Sequence, residues 1–460
     1  MLDIQATTGQ TWVDEVLLAG DGDGCCLMLG APVSRDRLRD LVARRQAVLA
    51  AAGLRAGGTL ALNLPPSTAY VAELLAAWRI GAQVMLLDHR LTPYEVDSIM
   101  DRLAPQFVVR AVGGARPAAL RTYAEVDPEV TARDGRPAST DHILVQLSSG
   151  STGPSKVIGR TAAGLVAEIG RYTRIDGSPR PGERIVLLAS MVHVLGLVGG
   201  LLYGLHAGCP LVLPERLTVS DIWAALAADE RPATLLGVPF HIGLLASAAT
   251  PPPLPALRRM TTGGELVAPA VHDAFTGRYG VPLGVMYGMT EVGVIATDMF
   301  GTHRPALAPA PGITVAESDG ELIIRLPDSP YLGSTDPARF ADGWLHTRDA
   351  GTVDPATGLV TVRGRRDSQI SVGGLKVDLT EVEQALAVMP GVTAAVVAYH
   401  HGIEAYVEAG SDARVLTEAL AGRLAAYKRP RTLHVVDHLP RTTTGKLVRD
   451  RAALRAAAGI

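Results

Sequence analysis

Between residues 34 and 146, amphipathic stretches alternate with short apolar runs. Ser34 is placed to cap a helix whose Leu38, Leu41, Val42 and Leu49 share one face, and TLALNL (59–64) then reads as a strand. The alternation continues with AYVAELLAAWRIG as helix, AQVMLLD as strand, TPYEVDSIMDRL as a helix opened by Thr92-Pro93, and QFVVRA as strand. Such alternation through short connections predicts a doubly wound, mainly parallel sheet. LLGVP (235–239) and LGVMYG (283–288) read as further buried strands. After about residue 310 the pattern turns to short β-rich pieces, ELIIRL and LVTVRG, parted by Gly, Pro and Asp turns. From Asp367 comes a compact tail: a strand-like SQISVGGLKVD, the helix LTEVEQALAVM, the strand AAVVAYH and a last helix after Pro440. The expected fold is α/β. A large N-terminal domain (1–366) holds doubly wound mixed sheets and a small β-barrel-like section, and a small α+β C-terminal domain spans 367–460.

Ile185 to Pro214 contains no Asp, Glu, Lys or Arg over a length that could cross a bilayer. It breaks into IVLLAS, MVHVLG, a Gly-interrupted LVGGLLYGLHAG and PLVL, so it reads as buried strand, loop, helix and strand. The 460 residues exceed a single core, and 47% hydrophobic against 19% charged residues excludes a disordered chain. A net charge of −3 gives no pull toward nucleic acid or anionic membrane, and neither is expected as a partner. Three cysteines, two of them the adjacent Cys25 and Cys26, supply neither a disulfide framework nor zinc spacing. With no basic-then-apolar pattern at the N-terminus, a cytoplasmic setting is expected.

Candidate chemistry begins at QLSSGSTGPSK (146–156), entered from Ile143-Leu144-Val145. Glycines let consecutive backbone N–H groups approach an anion; Ser148, Ser149, Ser151 and Thr152 add hydroxyls and Lys156 a cation. Gly150 and Gly153 lie too close together for a Walker loop and Val157 follows the lysine, which disfavours a P-loop kinase or ATPase. Alone, the loop is equally an ordinary flexible connection.

SSGSTG resembles the phosphate-loop signature of the adenylate-forming superfamily, which includes acyl-CoA synthetases, luciferases and adenylation domains. Further signatures follow in order: MTTGGELV (260–267), MYGMTEVG (286–293), GWLHTRDAG (343–351), VRGRRDSQISVGGLKVDLTEVE (362–383) and LPRTTTGKLVRD (439–450). The resemblance covers nearly the whole chain. It departs from the family pattern at Pro154-Ser155 and Val157, and at Arg348, which replaces a glycine.

The resemblance implies ATP-dependent activation of a carboxylic acid to an acyl-adenylate, then thioester formation with CoA or with a carrier protein's phosphopantetheine. It assigns the β- and γ-phosphates to Ser148–Gly153 with Lys156 nearby, and the α-phosphate to Thr290. Glu291 would help bind Mg²⁺. Tyr287 would stack on adenine beside Gly264 and Glu265, Asp349 would accept from the ribose hydroxyls, and Arg365 would meet ribose or phosphate. Lys446 would bridge carboxylate and α-phosphate during adenylation. Asp367 would be the hinge about which the tail domain rotates, bringing Gly373-Gly374 to a pantetheine channel. Without the resemblance these residues have plainer readings: a helix-terminal carboxylate for Glu291, turns for Asp349 and Asp367, a surface lysine for Lys446.

No aspartate stands at the start of MVHVLG, where amino-acid-activating relatives carry one; His193 instead resembles a histidine at the carboxylate side of acyl and aryl pockets. Its plain reading is a satisfied core histidine. Val238, Phe240, Gly263, Gly288 and Met289 would complete a mostly small or apolar wall, suited to a hydrophobic acyl or aromatic acid. The other readings are amino or β-amino acid adenylation, and a non-catalytic binding protein of the same fold.

Overall fold

The computed structural model describes residues 11–114, 120–148, 156–248, 250–264, 266–267, 269–333, 336–366, 369–440 and 447–460. Two compact units emerge, one from Met1–His89, Ala104–Gln146 and Val157–Gly364, the other from Arg90–Leu103, Leu147–Lys156 and Arg365–Ile460.

The first unit holds a nine-stranded sheet ordered Ala308–Pro309, Gly293–Asp298, Leu283–Met289, Leu257–Gly263, Ala233–Gly237, Arg184–Leu187, Leu211–Val212, Cys25–Leu29, Ala31–Ser34. It is parallel from Leu283–Met289 through Cys25–Leu29, with antiparallel strands at both edges. A six-stranded sheet runs Pro128–Ala132, Phe107–Ala111, Thr59–Asn63, Gln83–Leu86, Leu144–Ser148, Lys156–Arg160. The outermost strands of the first sheet contain Pro32 and Pro309, and Pro128 opens one edge of the second. A five-stranded antiparallel sheet, including Glu321–Arg325 and Trp344–Val353, forms the β-rich section expected after residue 310.

One apolar core joins residues of the two large sheets, such as Leu62 and Leu187, to helices Arg35–Ala51, Thr68–Ile80 and Ala162–Arg174. Ser34 caps the first of these by accepting from the Arg37 amide. The second is buried at every residue from Tyr70 to Trp78, so that stretch presents no face to solvent. The charge-free stretch is a strand (Arg184–Leu187), a loop, a π-type helix (Leu195–Leu202) running into Tyr203–Ala207, then the strand Leu211–Val212. Among the described residues, no helix is long and apolar enough to cross a membrane.

In the second unit, Thr92 and Glu95 cap the helix Pro93–Leu103 reciprocally: the Glu95 carboxylate accepts from the Thr92 amide at 2.9 Å and the Thr92 hydroxyl from the Glu95 amide at 3.2 Å. A three-stranded sheet, Val392–Tyr399, Ile403–Ala409 and Thr432–Val436, packs with helices Leu379–Ala387 and Ala413–Arg423 over a core that includes Val382, Val397 and Leu420.

Candidate active site

The strand Leu283–Met289 returns as Gly293–Asp298, so Thr290 and Glu291 lie in a turn at the carboxyl end of the parallel sheet. A register shift between Tyr287 and Gly288 marks where the pairing becomes irregular. The turn is held from behind. The fully buried Glu168 accepts from the Val294 amide at 3.2 Å and pairs with Arg160 at 2.7 Å. Arg171 donates to the Val292 carbonyl at 2.9 Å, and Arg160 approaches the Thr290 carbonyl at 3.5 Å. Gly293, at φ +88°, leaves no room for a side chain against the Glu168 carboxylate. Glu168, Arg160 and Arg171 carry no family signature and escaped the sequence reading. The available signal was a glutamate on the apolar face of a helix.

The structure joins Tyr287 to Asp349: the phenol donates to the carboxylate at 2.7 Å. Asp349 is buried on Trp344–Val353, and its amide donates to the Thr347 hydroxyl, which donates in turn to the Leu322 carbonyl at 2.6 Å. Tyr331 donates to Glu291 at 3.0 Å. Arg348, where the family pattern has glycine, adopts φ +63°. Its amide donates to Glu321 at 2.7 Å and its guanidinium to the Ala338 carbonyl at 2.8 Å.

On the acid side, Gly263 ends the strand Leu257–Gly263, opposite Met286 in register, and Gly264 follows exposed. The half-buried His193 accepts at its carbonyl from the Leu197 amide at 2.8 Å, just ahead of the π-type helix. Gln146 donates to the neighbouring Val192 carbonyl at 2.6 Å. The Val238 amide donates to the His241 imidazole at 3.1 Å, and burial pushes that imidazole down to about 4. Gly288 and Met289 are half-buried, whereas Phe240 is 51% exposed and meets the His241 ring edge-on.

Ser149, Gly150, Ser151, Thr152, Gly153, Glu265, Asp367 and Lys446 lie outside the described residues, as do the side chains of Ser148 and Arg365. Lys156 opens the strand Lys156–Arg160. In the second unit Gly373 and Gly374, at φ +58° and +83°, turn the hairpin between Gln369–Val372 and Leu375–Asp378, a two-residue connection that needs positive φ at both positions. Among the described residues no cluster of His, Cys, Asp or Glu is suited to hold a metal by itself.

The candidate site lies at the carboxyl ends of a parallel sheet, where open α/β sheets bind their ligands. Residues 28–323 match the family model of AMP-binding enzymes and residues 381–446 that of the AMP-binding enzyme C-terminal domain, and the chain belongs to this family. It is 29% identical over 469 residues to p-hydroxybenzoic acid–AMP ligase FadD22 of Mycobacterium tuberculosis, covering 92% of this chain. The chain spans 65% of that relative's length. It is 25% identical over 468 residues to the 3-hydroxybenzoate–CoA/4-hydroxybenzoate–CoA ligase of Thauera aromatica, covering 88% of each. The fold is that of o-succinylbenzoate CoA synthetase from Bacillus subtilis, with a TM-score of 0.80 and 23% identity over 96% of this chain and 97% of that one. The amide bond synthetase McbA from Marinactinospora thermotolerans superposes with a TM-score of 0.77 at 22% identity, covering 96% and 99%.

Proposed function

We propose that this chain is an AMP-forming acid–CoA ligase. In the first half-reaction a carboxylate oxygen attacks the α-phosphorus of ATP and pyrophosphate leaves. In the second, the CoA thiolate sulfur attacks the acyl carbon and AMP departs with the bonding pair. The observation that carries this reading is the grouping of Tyr287 with Asp349, and of Thr290 with Glu291, at the carboxyl end of a parallel sheet in an AMP-binding family member.

In this reading Tyr287 covers the adenine, and its hydrogen bond fixes the carboxylate of Asp349 to receive the ribose hydroxyls. Thr290 meets the α-phosphate, with Arg160 and Glu168 holding the turn that presents it. A hard divalent cation needs few protein carboxylates beside substrate phosphates, and the carboxylate of Glu291 fits that role; bound magnesium would neutralise phosphate charge. The Ser148–Gly153 loop and Lys156 take the β- and γ-phosphates, Lys446 brings the two anions together, and Arg365 meets ribose or phosphate. The C-terminal domain from Asp367 turns about that residue between half-reactions, carrying Gly373-Gly374 to the thiol's path. His193, Val238, Gly263, Gly288 and Met289 frame the acid, with Phe240 at its rim. The cell interior is the expected setting.

A carboxylic acid without an α-amino group fits the missing aspartate before MVHVLG. Relatives named for hydroxybenzoates, oxalate and sulfoacetate accord with this. Delivery to a carrier protein's phosphopantetheine is the second reading, favoured by the mycobacterial relative's being named for AMP ligation. Purified protein should support acid-dependent ATP–pyrophosphate exchange, and Lys446→Ala should lose it while retaining ATP binding. Absence of exchange by folded protein across a broad acid panel would return the chain to the binding-protein reading. Mass measurement of the product with CoA or a loaded carrier protein as acceptor separates the two thiols.

A further inference from the structure

The sheet face under the π-type helix lines a small cavity of about 10 Å³, room for one hydroxyl-sized group. Three of its lining side chains are Ser178, Thr234 and Thr261, each 1% exposed. None of the three hydroxyl oxygens has a hydrogen-bond partner among the described residues. A buried hydroxyl left unpaired costs roughly 1–3 kcal/mol. Three of them at one small space, whose wall is otherwise mostly apolar, can be satisfied there by a polar group that the described residues do not supply.

The cavity's position follows from strand register. Side chains two residues apart on a strand share a face. Thr261 therefore points the same way as Gly263, and Leu236, another lining residue, the same way as Val238. Thr261 pairs with Leu236, and Thr234 pairs with Ile185 one step further in. The helix above runs inward, opposite to the strands. A side chain on Gly263 would meet Leu195, at the helix start, whereas Gly199 lines the cavity, where its missing side chain makes way for the Tyr172 phenol. Met286 belongs to both places, opposite Gly263 in register and lining the cavity. The cavity lies about 7 Å, one two-residue strand step, deeper than the residues that frame the acid in the ligase reading.

We propose that this cavity is the far end of the acid pocket and receives a hydrogen-bonding oxygen, a hydroxyl or carbonyl, carried on the acid distal to its carboxylate. The inference rests on the ligase reading and adds its substrate class: acids with a polar far end, preferred over their all-carbon counterparts. A site that hydrogen-bonds a substrate hydroxyl discriminates strongly against the analogue lacking it, because its own polar groups are then left unpaired.

The test compares kcat/KM in acid-dependent pyrophosphate exchange for pairs of acids that differ only in a terminal hydroxyl, 4-hydroxybenzoate and benzoate among them. The wild-type chain should favour the hydroxylated member of at least one pair. Thr261→Val, which keeps the shape and removes the hydroxyl, should cut that ratio roughly tenfold, and Thr261→Ser should restore most of it. Thr234→Val and Ser178→Ala provide the same reading at other points of the ring if Thr261→Val fails to fold. Exchange with both members of every pair at equal efficiency, with variants that change only the melting temperature, would show an enclosed water and overturn the inference alone. Exchange with no acid at all would overturn the ligase reading and this inference with it.

Discussion

Arg348 occupies a left-handed backbone position, and this is the physical reason the family pattern has a glycine there. The arginine is anchored by its amide on Glu321 and its guanidinium on the Ala338 carbonyl. In Arg348→Gly, relief of about 1–2 kcal/mol of strain is set against the lost side-chain hydrogen bond and the greater freedom of the unfolded glycine chain. Stability by urea denaturation should therefore change by less than about 1 kcal/mol. Arg348→Val, β-branched at positive φ, should lose about 2 kcal/mol. His241 offers a second test. Its imidazole, depressed by burial to about 4, is neutral when folded but takes up a proton when unfolded below its ordinary 6.5. Stability held at neutral pH is thus lost as pH falls from 6.5 through 4, by roughly 3 kcal/mol in all. Glu73, which burial pushes up to about 7 against the pull of Arg45, acts in the opposite sense from 4.5 to 7. The histidine's share is therefore read as the difference in pH slope between the wild-type chain and His241→Gln.

At the scale of elements, the turn bearing Thr290 and Glu291 is only as fixed as its support. Glu168 is fully buried, and its loss of charge would leave Arg160, 7% exposed at its side chain, without its ion partner. Glu168→Gln should destabilise the fold by about 3–5 kcal/mol and lower pyrophosphate exchange together with it; a variant of unchanged stability would deny the support role. The local elements themselves were legible. Ser34, Thr92-Pro93 and the broken apolar stretch from Ile185 each carry their signal within a few residues, and each stands as a cap, a helix start and a strand-loop-helix-strand run. The strand Cys25–Leu29 was not legible, because its parallel partner is Leu211–Val212, far along the chain. Nor was the Glu168 network, whose meaning depends on which amides a folded hairpin brings to it.

Across the whole molecule, six short signatures in order identified the family, and the match over residues 28–323 and 381–446 bears that out. The joining of Tyr287 to Asp349 across 62 positions could not be read from either motif alone, since only the packing of the antiparallel section brings them together. The three orphan hydroxyls were equally invisible. Ser178, Thr234 and Thr261 sit in unrelated stretches, and only strand register sets them around one space. The prolines on the outermost strands, Pro32, Pro128 and Pro309, have a consequence for behaviour at high concentration. Each removes a backbone donor from a rim where a second molecule could otherwise add a strand, so the chain resists sheet-to-sheet aggregation. Replacing Pro32 and Pro309 by valine should lower the temperature at which light scattering begins while leaving the unfolding midpoint in place. An unchanged onset would mean that the rims are protected by other means.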